Sequence, residues 1–137
     1  MEQIAVVVAV VINANDEVLI AKRPLQKHCG GLWEFPGGKM HDGESELHAL
    51  TREMQEECGI TIDAAEKLCE ITHDYPEKSV RLLVWRATQF SGEAQGLEGQ
   101  IIRWVEIADL VNYEFPAANQ EILLHLQQRA AIFCAQT

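Results

Sequence analysis

The 137-residue sequence predicts a mixed α/β fold. Three observations carry that expectation. An unbroken, largely β-branched apolar run from Ile4 to Ile12 has the composition of a strand buried on both faces. In mid-chain, Ser45 to Cys58 shows a helical pattern with its own start at Ser45 and stop at Gly59. Near the end, Pro116 stands where the first residue of a second helix belongs.

The other elements follow in order. Asn13-Ala14-Asn15-Asp16 is turn chemistry, and Glu17–Arg23 alternates weakly, as the return strand of a hairpin would. Pro24 to Gly31 is a loop. Leu32–Phe35 is a short extended piece held so by Pro36, and Gly37-Gly38 are expected to break any regular element. In the central helix Glu46 suits the first turn, and Leu47, Leu50, Met54 and Cys58 form the apolar stripe. Ile60–Ile62, Lys67–His73 and Val80–Phe90 read as strands, with Asp74-Tyr75-Pro76-Glu77 as a hairpin-like turn between the last two. Gln100–Val105 is another strand. The final helix is expected to run from Pro116 to about Phe133, with Ile122, Leu123, Leu126 and Ile132 among its apolar positions. No repeat, low-complexity tract or linker interrupts residues 1–137, so a single domain is expected.

Composition narrows the function classes. Apolar residues make up 47% of the chain, enough for a packed core. The formal net charge is −10, from 11 basic and 21 acidic residues. Such a field disfavours nucleic acid polymers and anionic membranes, which need clustered Lys and Arg. The longest apolar run is too short to cross a bilayer, which takes ~20 residues, and it lacks the flanks of a signal peptide. Cys29, Cys58, Cys69 and Cys134 are widely spaced, and reduced thiols in a cytoplasmic protein are expected rather than disulfides. The five histidines show no zinc-site spacing.

Some carboxylates are gathered. Glu53, Glu56 and Glu57 fall at i, i+3 and i+4, on one side of the helix and roughly opposite the Leu47/Leu50/Met54 stripe. Alone, such a trio reads either as a solvated face or as a site for Mg²⁺ or Mn²⁺. Gly37-Gly38 and Gly43-Glu44 lie just before the helix, where glycines let the backbone approach an ion or a phosphate. Arg52 stands beside the trio and could orient a carboxylate.

From Gly38 to Ile60 the sequence reads GKMHDGESELHALTREMQEECGI. It meets the pattern G-x5-E-x7-R-E-U-x-E-E-x-G-U, with U aliphatic, through Gly38, Glu44, Arg52, Glu53, Met54, Glu56, Glu57, Gly59 and Ile60. This is the Nudix box, and the chain resembles the MutT-like group of the Nudix hydrolases. The likeness extends to Leu32–Lys39, to Gly96-Leu97-Glu98-Gly99-Gln100 and to Phe115-Pro116-Ala117-Ala118-Asn119. The resemblance implies an α/β/α sandwich with a mixed sheet between helices. It also implies hydrolysis of a small-molecule nucleoside triphosphate to monophosphate and pyrophosphate with Mg²⁺, or Mn²⁺, as cofactor; a monomer is expected.

Residue by residue, the resemblance assigns Glu53, Glu56, Glu57 and Glu98 to the metals, with a carbonyl of Gly37 or Gly38. Glu53 and Glu98 are the two candidates for general base. Glu44, Arg52 and Gly59 are structural. Lys39 either meets phosphate or is solvated. Asn119 is either a helix-start residue or a reader of 8-oxoguanine. An amide carries a donor beside an acceptor, which matches the O6 acceptor and N7–H donor of the oxidised base, whereas guanine offers acceptors at both positions. Phe35 is an apolar wall for the base or a core residue. Arg23 is a nucleotide contact or a surface arginine. Lys78 stands where some relatives have an arginine, and lysine is a point charge without the planar fork. The leading expectation is a hydrolase of 8-oxo-dGTP that cleanses the nucleotide pool. A pyrophosphohydrolase for another triphosphate, such as a 5-substituted cytidine nucleotide, and a non-catalytic nucleotide-binding module are the alternatives.

Overall fold

Residues 3–26 and 30–135 are described by the computed structural model, the side chains of 128–135 excepted. Two sheets lie between two helices. β1 (Gln3–Val11) runs between β4 (Gly37–Lys39) and β6 (Ser79–Ser91), and β5 (Thr61–Asp74) completes a sheet of order β4-β1-β6-β5. The second sheet has the order β3-β2-β7, from β3 (Trp33–Glu34), β2 (Glu17–Lys22) and β7 (Ile102–Glu106). β1 is parallel to β6 and antiparallel to β4, so the first sheet is mixed.

The β-branched run of β1 explains the layering. Successive side chains of a strand point to opposite faces. Val7, Ala9 and Val11 pack with Ala49, Leu50, Met54 and Cys58 of α1 (Glu46–Cys58). Val8 and Val10 pack in a second cluster with Ala118, Ile122, Leu123 and Leu126 of α2 (Ala117–Ala135). Both faces are buried, as continuous apolarity requires. Leu50 is fully buried in the first cluster. Leu50→Ala should therefore cost ~2–5 kcal/mol, read as a lowered denaturant midpoint. An unchanged midpoint would contradict this packing.

α1 forms as expected. Ser45 accepts from His48 N–H at 3.1 Å, and Gly59 takes the left-handed conformation at φ 69°. Glu46 then fastens the first turn to β6 by accepting from Trp85 Nε1 at 3.0 Å.

Five expectations need correction. Gly37-Gly38 do not break regular structure; they form β4. Their missing side chains allow it, since a Cβ on Gly37 would strike the Val7 carbonyl of the neighbouring strand. β2 is not a hairpin ladder partner of β1. Among the described residues the pairing there is reduced to the bridge Ile12↔Val18 and the turn bonds between Asn13 and Glu17, and β2 crosses to the second sheet. Ile60–Ile62 and Lys67–His73 belong to one strand, whose irregular stretch is absorbed by register shifts against β6 between Ile62 and Cys69. A 3₁₀ turn at Ile107–Asn112, not foreseen, follows β7.

The fifth correction is the face of α1. Leu47 is 45% exposed, while Ala49 is buried. The buried arc is centred near Leu50, and at about 100° per residue Glu57 lies within about 20° of Leu50. The acidic side is thus not separate from the core side. Cys58 and Cys69 are free thiols, and burial pushes Cys58 up to about 12, which leaves it inert. Cys29, His28 and the side chains of Ile132 and Cys134 lie outside the described residues. No described helix is long and apolar enough to cross a membrane.

Candidate active site

A cavity of about 700 Å³ opens where β1, β4, the β2–β3 region and the start of α2 meet. That volume lies in the range of small-molecule sites. Its apolar side includes Ile4, Val6 and Phe35, and its carboxylates are Glu34, Glu57 and Glu98. Lys22, Arg23, Lys39 and Lys78 also line it, so four of the chain's 11 basic residues gather at one cavity of an acidic protein.

The carboxylates of α1 differ in their surroundings. Glu56 is 56% exposed in its side chain, whereas Glu53 is only 12% exposed. Glu53 approaches Gly38 so closely that a Cβ there would collide with its carboxylate. Glu57 accepts from Gly37 N–H at 3.1 Å. Burial, then the charges of Glu53, Glu34 and Glu98, push Glu57 up to about 8, against the Gly37 hydrogen bond that lowers it.

Arg52 organises the group. It grips Glu44 with Nε and Nη2 at 2.7 and 2.9 Å and reaches Glu53 with Nη1 at 2.9 Å. Weaker bonds run to Glu56 and to the Lys39 carbonyl, at 3.3 and 3.2 Å. The forked pair with Glu44 is the geometry a guanidinium favours. Arg52 first, and the His41 N–H next, hold the Glu44 carboxyl down at about 2. Glu44 is thus occupied as a brace for Arg52.

The loop bearing Glu98 is tied to the C-terminal end of α1. The last carbonyls of a helix lack intrahelical donors. Here Leu97 N–H and Gln100 Nε2 both donate to the Glu57 carbonyl at 3.0 Å, and Gln95 N–H donates to Cys58 at 2.9 Å. Gln100 Oε1 also accepts from Glu98 N–H at 2.8 Å, so one side chain joins the backbones of Glu57 and Glu98.

Among the described residues, no three His, Cys, Asp or Glu side chains are already gathered into a metal cage. The donor set nonetheless fits a hard divalent cation. It consists of carboxylates and backbone carbonyls, and the burial and then the neighbouring negative charges that raise Glu57 are what such a cation would offset. This has a measurable consequence for metal-free protein. A carboxyl whose folded pKa is raised stabilises the fold fully below its ordinary 4.5, and that contribution is lost as pH rises from 4.5 through about 8. Chelator-treated protein should lose stability, on the order of a few kcal/mol, across that interval, and excess Mg²⁺ should restore it. Melting temperatures that stay flat over that interval would oppose this account.

The base-side candidates also meet here. Arg23 pairs with Glu34 and lines the cavity, so it is more than a surface arginine. Phe35 is 3% exposed, stacks on Phe115 at 5.3 Å and still borders the cavity; core residue and wall are the same residue. Lys39 is exposed and Lys78 half-buried, both at the cavity. Asn119 is half-buried there, and its side-chain amide makes no hydrogen bond among the described residues. The helix-start amide of Ala118 is instead capped by Tyr75 Oη.

Sequence reasoning missed Glu34, Tyr75, Gln100 and Lys22. For Glu34 no local signal existed: β2 and β3 pair as Ala21↔Glu34, which sets it near Arg23, and that register is not written in either segment alone.

Comparison with known proteins adds an independent line. The family model for the NUDIX domain matches residues 7–125. An 8-oxo-dGTP diphosphatase of Escherichia coli (strain K12) is 32% identical over 128 residues, covering 93% of this chain and 99% of that one. A CTP pyrophosphohydrolase of the same strain is 33% identical over 117 residues, covering 85% and 87%. A solved MutT structure, from work on the Aliivibrio salmonicida and Vibrio cholerae proteins, matches with a TM-score of 0.81 at 39% identity, covering 93% of this chain and 99% of that chain.

Proposed function

The chain belongs to the Nudix family and is a hydrolase of phosphoric anhydride bonds, and from that premise we propose that it hydrolyses 8-oxo-dGTP to 8-oxo-dGMP and pyrophosphate, sanitising the nucleotide pool in the cytoplasm as a monomer. One observation carries the choice of base. Asn119 presents an uncommitted amide to the same cavity that Glu57 and Glu98 line. A donor beside an acceptor pairs with the O6 and N7–H edge of the oxidised base, and against guanine its oxygen would face a lone pair. A half-buried mismatch of that kind supports discrimination.

In this reading Glu53, Glu56, Glu57 and Glu98, with a carbonyl of Gly37 or Gly38, hold Mg²⁺, for which Mn²⁺ can substitute. The ion supplies neutralisation of phosphate oxygens and acidification of water. The protein's own groups do the rest. Glu53, held by Arg52, takes the proton of the water that adds across the anhydride between the nucleoside monophosphate and pyrophosphate. Glu98 is the second candidate for that proton. Lys39 and Arg23 meet the polyphosphate and nucleotide, Lys78 adds charge at the cavity wall, and Phe35 gives the base an apolar surface. Positioning and charge neutralisation, rather than covalent chemistry, are what this reaction asks of the protein.

A cytidine triphosphate is the second reading, favoured by the likeness to the CTP pyrophosphohydrolase. Steady-state pyrophosphate release from 8-oxo-dGTP, dGTP, CTP and 5-methyl-dCTP separates the two. The proposal expects 8-oxo-dGTP to lead in kcat/KM. A lead for either cytidine nucleotide would replace it with the second reading. Absence of pyrophosphate release from any of them in Mg²⁺ would leave only a nucleotide-binding role.

A further inference from the structure

We propose that the Tyr75 hydroxyl is a positioning residue for base recognition: from the β5–β6 turn it fixes the first turn of α2, and with it Asn119. The inference rests on the reading of Asn119 given above. The first amides of a helix have no intrahelical acceptor. Phe115-Pro116-Ala117-Ala118 offers no side-chain oxygen to cap them. The acceptor comes instead from 43 residues earlier, where Tyr75 Oη receives the Ala118 N–H at 3.3 Å.

The phenol is itself held in place. Its ring meets the His73 imidazole edge-on at 4.6 Å, and its backbone closes the turn with Lys78 through paired bonds of 2.8 and 3.3 Å. Asn119 follows the capped residue directly, and its own N–H is bound to the Pro116 carbonyl at 3.0 Å. Tyr75, Lys78, Ala118 and Asn119 all line the cavity. One hydroxyl thus joins the two walls between which the base would lie. An amide that must meet two base atoms at once depends on a supporting shell that fixes its backbone.

Tyr75→Phe keeps the ring and removes only the oxygen. The ratio of kcat/KM for 8-oxo-dGTP over dGTP should narrow about threefold to tenfold, with the loss in KM rather than kcat. Amide exchange at Ala118 and Asn119 in the ligand-free protein should accelerate while the amides of α1 keep their rates. In an Asn119→Ala background, Tyr75→Phe should narrow the ratio no further. Equal losses for both nucleotides, unchanged exchange at Ala118, or full additivity with Asn119→Ala would each overturn the role. A wild-type preference that Asn119→Ala abolishes and Tyr75→Phe leaves intact overturns the tyrosine alone. A wild type without preference overturns the substrate reading together with it.

Discussion

Glu53→Gln should lower turnover with Mg²⁺ by about 10²–10⁴-fold, and by more if metal binding is also lost. The glutamine keeps an oxygen for Arg52 Nη1, which now lies 2.9 Å from the carboxylate, but it cannot accept a proton. The helix should therefore stay in place, and thermal melting checks this beside the kinetics. Turnover near wild type would remove Glu53 from the base role. The parallel Glu98→Gln variant then decides the matter, since Glu98 is exposed on the loop that Gln100 ties to α1 and lines the cavity itself.

Asn119→Ala should erase base preference with little effect on the chemical step. Two hydrogen bonds to the oxidised edge are lost, and the mismatch against guanine disappears with them. At about 1–1.5 kcal/mol for each bond, the ratio of kcat/KM for 8-oxo-dGTP over dGTP falls by about 10²-fold. Arg52 and the carboxylates of α1 are untouched, so kcat for dGTP should hold. An Asn119→Ala enzyme that still discriminates as wild type does would place the reader of the base elsewhere in the cavity.

What was legible in the sequence is what local chemistry decides. Ser45 and Gly59 bound α1 because a cap and a left-handed stop need only their own neighbours. The position of Arg52 beside Glu53 and Glu56 suggests a guanidinium that orients a carboxylate of the trio, and Arg52 does reach both, but its forked pair is with Glu44. Distant pairing was not legible. Gly37-Gly38 look like a break until β1 is laid beside them, and only then does their lack of a side chain become the reason they can be a strand. Glu57 looks solvated when α1 is turned about Leu47, and half-buried once Leu50 is known to face the core. Tyr75 gives no hint of its tie to Ala118, because the turn and the helix start are far apart in the chain.

The parallel pairing of β1 with β6 has a kinetic consequence. Gln3 through Val11 lie beside Ser79 through Ala87, and that ladder is the centre of the first sheet. During synthesis β1 emerges well before β6 and must wait for it before it has its central neighbour. Closing so long an intervening chain is entropically costly before any contact compensates, which places folding among the slower, non-local topologies. The cavity is lined from Ile4 to Asn119, so no early fragment presents it. Its lining residues come together only when nearly the whole described chain has assembled, so activity should appear only then.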